Sequence, residues 1–368
     1  MRVTPDSRSL ARYPRLVPRK RADRGKRPSS IQDVADLASC SAATVSRVLN
    51  TPELVSPDTA ERVRKAVAQL AYRPNPFAKG LMTRTSKMFA LLLPKGSADL
   101  HVDVIRAAEA AAERLGFCLL LARDGRGPRP SPALTGPLHL ADGLAQIVQS
   151  PDELLWKDAA AAGLPVVLID PPHNLEGSMA VDRILIDDQW GTREAVDHLL
   201  SAMEPDRIHF VAGPAELPAM QRRAEAFTKR MQEKGHTVRK DQIAYGKASG
   251  ESGYLWAAGY LSNADLANRG VLCGSDEIAL GVLQAARDAH IRVPDQLRII
   301  GFGDTRVAPI VRPSLSTVRV PIGEAADAAI DLLLARTKHS DLPPQTHTLT
   351  TRLFIRESSD RSAASGGF

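Results

Sequence analysis

Apolar residues recur at helical spacing over Ile31, Val34, Ala35 and Ala38, lapse at Ser39-Cys40-Ser41, and resume at Val45, Val48 and Leu49. The spacing predicts two short helices around a tight turn, with the Ser41 hydroxyl capping the second. Opposite that second apolar stripe, Ala43, Ser46, Arg47 and Asn50 fall at i, i+3, i+4 and i+7 and so share one face. Asn50-Thr51-Pro52 ends the helix, and Ser56-Pro57 is a start signal for a third. Its inward stripe is Val63, Ala66, Val67 and Leu70. From residue 88 the pattern changes. Short continuous apolar runs at 89–93, 117–121, 144–148, 166–169, 208–211, 270–273 and 297–300 read as strands. Helical stretches at 103–115, 152–162, 190–201, 218–234 and 276–290 separate most of them. Strands of this kind belong to parallel sheets covered on both faces. They are too many for one small sheet, so two α/β lobes are expected, with a ligand cleft at the carboxyl ends of the strands.

Charge divides the chain in the same way. The net charge is +6. Residues 1–27 carry ten Lys/Arg against two Asp, residues 28–86 seven basic against five acidic, and residues 87–368 31 basic against 35 acidic. The basic character therefore lies at the head, as suits a nucleic-acid reader joined to a second, mildly acidic part. The head segment, with Pro5, Pro14 and Pro18 and little apolar periodicity, is expected to be disordered. Its alternatives are a phosphate-binding arm and a stretch ahead of the true start codon. Cys40, Cys118 and Cys273 have no metal-ligand spacing and read as small buried hydrophobes in a reducing compartment. No apolar run is long enough to cross a bilayer, and no secretory signal opens the chain. Nucleotide-binding, hydrolase and metal-site motifs are lacking, so neither an enzyme nor a cofactor or metal is expected.

The phrase Ala43-Thr-Val-Ser-Arg-Val-Leu-Asn50 resembles the helix-turn-helix of the LacI family of bacterial transcription regulators. Further phrases at residues 163–170, 186–188, 273–281, 300–304 and 313–319 resemble that family's effector domain, which is similar to periplasmic sugar-binding proteins. The resemblance weakens at 96–103 and 122–140, where a loop and a shortened or missing helix are expected. It implies an N-terminal all-α helix-turn-helix domain at 28–74 and a hinge at 75–86. A two-lobed α/β, periplasmic-binding-protein-like effector and dimerisation domain with parallel sheets follows at 87–358, then a disordered tail at 359–368.

The function implied is that of a cytoplasmic, nucleoid-associated repressor, a homodimer on a pseudo-palindromic operator, switched by a sugar or sugar-acid effector. A transporter's solute-binding protein is the alternative. It would give residues 28–86 no role. On DNA, Arg47 reads a guanine and Asn50 suits an adenine. Ala42 and Ala43 permit close approach, Thr44 and Ser46 lie alongside, and Leu81 is the hinge wedge in the minor groove. Gly80, where the family more often has Ser, loosens the free hinge. In the cleft the candidates are Lys95, His101, Gln149, Asp170, Arg223, Leu272 and Asp276, the last either a helix cap or a ligand contact. Gly303 stands where the family often has a ligand-holding Asp. That loss makes the cleft more cationic and points toward a sugar acid, as in the gluconate-type regulators.

Overall fold

The computed structural model describes residues 29–73, 85–94, 100–123, 137–148, 155–172, 181–263 and 268–362. The basic arm, the hinge through residue 84 with Gly80 and Leu81, the stretch 124–136, and Lys95 and Gln149 lie outside the described residues. So does the side chain of His101. The chain divides into two compact units, Met1–Met82 and Thr83–Phe368.

The first unit is built from α1 (Ile31–Leu37), α2 (Ala42–Asn50) and α3 (Pro57–Gln69). Ser30 opens α1 with a capping box: its side chain accepts from Asp33 N while the Asp33 carboxylate accepts from Ser30 N. Two of the orphan donors at a helix start are thereby satisfied. Ser41 caps α2 as expected, its hydroxyl accepting from Thr44 N at 3.1 Å. At α3, Ser56 holds the cap position but its hydroxyl goes to Thr59 Oγ1 instead. Val34, Ala35, Ala38, Val45, Val48, Ala60, Val63 and Ala66 form the core. Leu49, expected inside, is exposed. It lies one residue beyond the Val45–Val48 stripe, and α2 is too short to bury both sides.

The second unit contains two six-stranded sheets. The first lobe has strand order β11-β5-β4-β3-β1-β2, from β1 (Met88–Leu93), β2 (Cys118–Arg123), β3 (Gly143–Ile147), β4 (Val166–Ile169), β5 (Asp182–Asp187) and β11 (Thr346–Thr350). All its pairings are parallel. The second lobe has order β12-β10-β9-β8-β6-β7, from β6 (Ile208–Val211), β7 (Ile243–Ala244), β8 (Arg269–Cys273), β9 (Leu297–Gly303), β10 (Ser316–Arg319) and β12 (Arg352–Phe354). Only β12 runs antiparallel. In the first lobe α4 (Leu100–Arg114) and α10 (Ile322–Lys338) pack together over the sheet, and α5 (Leu155–Ala161) covers the other face with Trp156. In the second lobe lie α6 (Asp188–Leu200), α7 (Pro218–Glu233), α8 (Gly250–Asn263) and α9 (Asp276–Asp288). The last two pack tightly because Gly253 and Gly281 let their backbones touch: a Cβ would sit 2.1 Å from Ile278 O or 1.9 Å from Gly250 O.

The chain crosses between lobes three times: at Asp187–Asp188, after Arg319, and between Thr350 and Arg352. The first and third crossings are tied. Buried Thr351 donates its hydroxyl to Asp187 O at 2.7 Å and accepts from Gly191 N at 3.1 Å. Gly191 is needed there, since a Cβ would fall 2.3 Å from Val318 Cγ1. The disordered tail expected from residue 359 does not begin there. Ser358 and Ser359 are fully buried, bonded to Ile299 O and Ser316 Oγ, because they fill the strand edge behind β9 and β10. The cysteines are also less uniform than expected. Cys273 is buried, Cys40 half-buried and Cys118 exposed, since Cys118 opens an edge strand.

Candidate functional site

The exposed face of α2 is the first candidate. Ala43, Arg47 and Asn50 are exposed, while Ala42, Thr44 and Ser46 are half-buried. Val45 and Val48 anchor the helix beneath them. The Asn50 amide donates to Ser46 O at 2.8 Å and lies 3.3 Å from Ser46 Oγ. It must release its own helix before it can pair with an adenine. A small-residue start followed by an Arg on a rigid, capped helix can enter a major groove and present a two-pronged donor to guanine.

The second candidate lies where β4, α6, α7 and α9 converge. Asp170 ends β4 in the left-handed conformation, φ 50°. Its carboxylate meets Arg222 Nη2 at 2.6 Å, an ion pair from the first lobe to the second. Buried Asp188, the first residue of α6, holds two guanidiniums: Arg222 Nε at 3.1 Å and Arg223 Nε at 3.2 Å. Arg223 also donates to Gly274 O at 2.7 Å and stacks over the Phe302 ring at 3.8 Å. Burial pushes the Asp170 carboxyl up to about 7, against the opposing pull of Arg222. A planar guanidinium held this way is pre-oriented for paired acceptors, and the adjacent carboxylate is an acceptor for hydroxyls.

The sequence-derived candidates separate here. Asp170 and Arg223 are brought together through Arg222 and Asp188. Leu272 is not in the cleft: it is fully buried in the core, its strand lying at the centre of the second sheet. Asp276 neither caps α9 nor faces outward. Ser275 is the cap, and the buried Asp276 carboxylate accepts from Thr305 N, Thr305 Oγ1 and Thr317 Oγ1. It fastens the loop after β9 to β10. Asp304, beside Gly303, pairs with Arg319 and Arg356 and is equally structural. Of the charges expected to set the balance of the cleft, Lys95 lies outside the described residues, while two guanidiniums meet Asp170 and Asp188. Arg222 and Asp188 were missed. Arg222 reads as a surface residue in Gln221-Arg222-Arg223, and Asp188 entered only within the phrase at 186–188, ahead of the helix expected from residue 190. No group of three or more His, Cys, Asp or Glu that would hold a metal occurs among the described residues.

Comparison with known proteins places these two sites in one context. The model of bacterial regulatory proteins of the lacI family matches residues 30–75, over the helical unit. A periplasmic binding protein-like domain model matches residues 196–359. The HTH-type transcriptional regulator DegA of Bacillus subtilis (strain 168) is 32% identical over 302 residues, 80% of this chain and 88% of the relative. The HTH-type transcriptional repressor PurR of Proteus mirabilis (strain HI4320) is 30% identical over 343 residues, covering 92% and 98%. Among solved structures, the transcriptional regulator CelR–cellobiose complex has a TM-score of 0.66 at 26% identity, covering 90% of this chain and all of the other. The lac repressor dimer bound to operator and an anti-inducer shares the fold at TM-score 0.77 and 23% identity, covering 90% and 99%. With two curated relatives at 30% identity or more along most of its length, the chain belongs to the lacI family of bacterial regulatory proteins.

Proposed function

We propose that this chain is a sequence-specific DNA-binding repressor whose operator affinity is set by a small hydroxylated effector bound between its lobes. The observation that carries the reading is the exposed Arg47 face on a capped, core-anchored α2, in a unit of its own ahead of a two-lobed domain. One head buries little surface, so a two-fold dimer with paired half-sites supplies the affinity. The effector acts by binding two lobe arrangements unequally. Donors on Arg222 and Arg223 beside acceptors on Asp170 and Asp188 suit a sugar or sugar acid. The relatives' roles as regulators support a non-enzymatic function. No helix among the described residues is long and apolar enough to cross a membrane.

Binding-site selection with the wild type and Arg47→Ala tests the DNA half. The expected loss is about 1–3 kcal/mol at one base position per half-site. Unchanged base preference would refute the assignment of Arg47. Calorimetry with gluconate and with neutral hexoses tests the effector half. Tighter binding of the neutral set would remove the sugar-acid reading and keep the sugar one.

A further inference from the structure

The two lobes present opposite charges where they meet. Among the described residues, ion pairs join them at two places away from the backbone crossings. The inner, largely buried pair is Asp170 with Arg222 Nη2 at 2.6 Å. The outer, more exposed pair is Asp103, in the first turn of α4, with Arg306, in the loop after β9. Nε and Nη2 of Arg306 lie 2.8 and 2.7 Å from the same Asp103 oxygen. In both pairs the first lobe supplies the carboxylate and the second the guanidinium. Their anchors are separate. Asp170 ends β4, and α4 follows β1; these strands flank β3 in the first sheet and so stand two strand spacings apart, about 10 Å.

Each guanidinium is mounted on a fixed support. Buried Asp188 binds Arg222 Nε at 3.1 Å. Arg306 follows Thr305, whose amide and hydroxyl both donate to the buried Asp276 carboxylate, at 2.7 and 2.9 Å. An exposed ion pair is usually weak because ordering two long side chains offsets the attraction. A backbone already fixed beside Arg306 removes part of that cost. We propose that the Asp103–Arg306 pair is an electrostatic latch that acts with Asp170–Arg222 to hold the lobes closed. The latch rests on the proposed switch between two lobe arrangements and names contacts that set its balance. Because the lobes turn as units on their crossings, releasing the outer pair loosens the inner one. Losing a pair of this kind shifts such an equilibrium about two- to fivefold. Reversing one charge sets like charges face to face and shifts it further.

The test is hydrogen–deuterium exchange of the full chain, with neither effector nor DNA, in Asp103→Arg, Arg306→Asp and the two combined. Matching circular dichroism spectra confirm that the variants fold, and the neutral Arg306→Gln replaces a reversed charge that unfolds the chain, with the same direction expected. Either single variant should exchange at least twofold faster at residues 103–108 and 301–307, and also at 166–171, which carry the inner pair. Exchanging the two charges should restore the wild-type rates. Faster exchange confined to 103–108 and 301–307 would make the pair a local surface contact and overturn the latch. So would unchanged rates in the single variants, or a combined variant as fast as the single ones. A chain that passes this test yet shows no effector response loses the proposed switch and keeps the latch.

Discussion

At the scale of single residues, Asp170 carries a pH dependence whose sign follows from its surroundings. Burial raises its carboxyl from the ordinary value of 3.8 to about 7. Between those values the folded chain holds a proton that the unfolded chain has released. Its contribution to stability is therefore full below pH 4 and is lost as the pH rises to 7. His198 and His209 are depressed by burial and pull the other way, gaining stability as the pH rises through the same region. Comparison with Asp170→Asn isolates the carboxyl. From pH 5 to 7.5 the melting temperature of the wild type should fall relative to that of the variant, and parallel curves would count against the assignment. The residue was legible in the sequence as a strand-end acid. Its partner was not, because nothing in Gln221-Arg222-Arg223 distinguishes a guanidinium turned toward Asp170 and Asp188 from one in solvent. Charge pairs between residues 52 positions apart exist only once the lobes are assembled.

At the scale of elements, the joints between lobes are rigid where the backbone is packed. Gly191→Ala would push a methyl group into Val318 and Thr351 at the paired crossings. Overpacking of this kind costs about 1–3 kcal/mol. It should also loosen the Thr351 bridge, and thermal melting of the full chain should show the loss. A second joint lies where the chain enters the first lobe. Asp142, just before β3, accepts from Ser86 N, Ser86 Oγ, Thr85 Oγ1 and Lys87 N. It fixes the exit of the 75–86 segment to the first lobe's sheet. Asp142→Ala should leave effector affinity within about twofold while reducing the effector's influence on operator binding, measured by titrations with and without effector. Equal coupling in the variant would show that the clamp is only structural. Central strands such as β4 and β6 were readable from their continuous apolar runs. The edge strand β11, with Thr346, His347 and Thr348 exposed, offers no such run, since it is covered on fewer sides. α10 was unread although its buried residues Ile322, Ala325, Ala326, Ala329, Ile330, Leu332 and Leu333 recur at helical spacing, because Ala328, Leu334 and Ala335 add apolar residues on its other faces and blur the period in the sequence.

At the scale of the whole molecule, the uneven charge becomes a measurable property of operator binding. Ten basic residues against two acidic precede the first helix, while the part beyond residue 86 is mildly acidic. Lys and Arg that neutralise phosphates release condensed counterions, and the logarithm of the binding constant then falls with the logarithm of salt concentration by about 0.9 per phosphate. These contacts carry no base information. Removing residues 1–27 should therefore flatten the salt dependence by several units per dimer and weaken binding on specific and random DNA alike. The base preference set by the Arg47 face should stay the same. Arg47→Ala should do the converse, lowering discrimination at one base position with little change in slope. Measuring both variants across a salt series separates attraction from reading. A truncated chain with an unaltered slope would assign the non-specific affinity to the seven basic residues of 28–86.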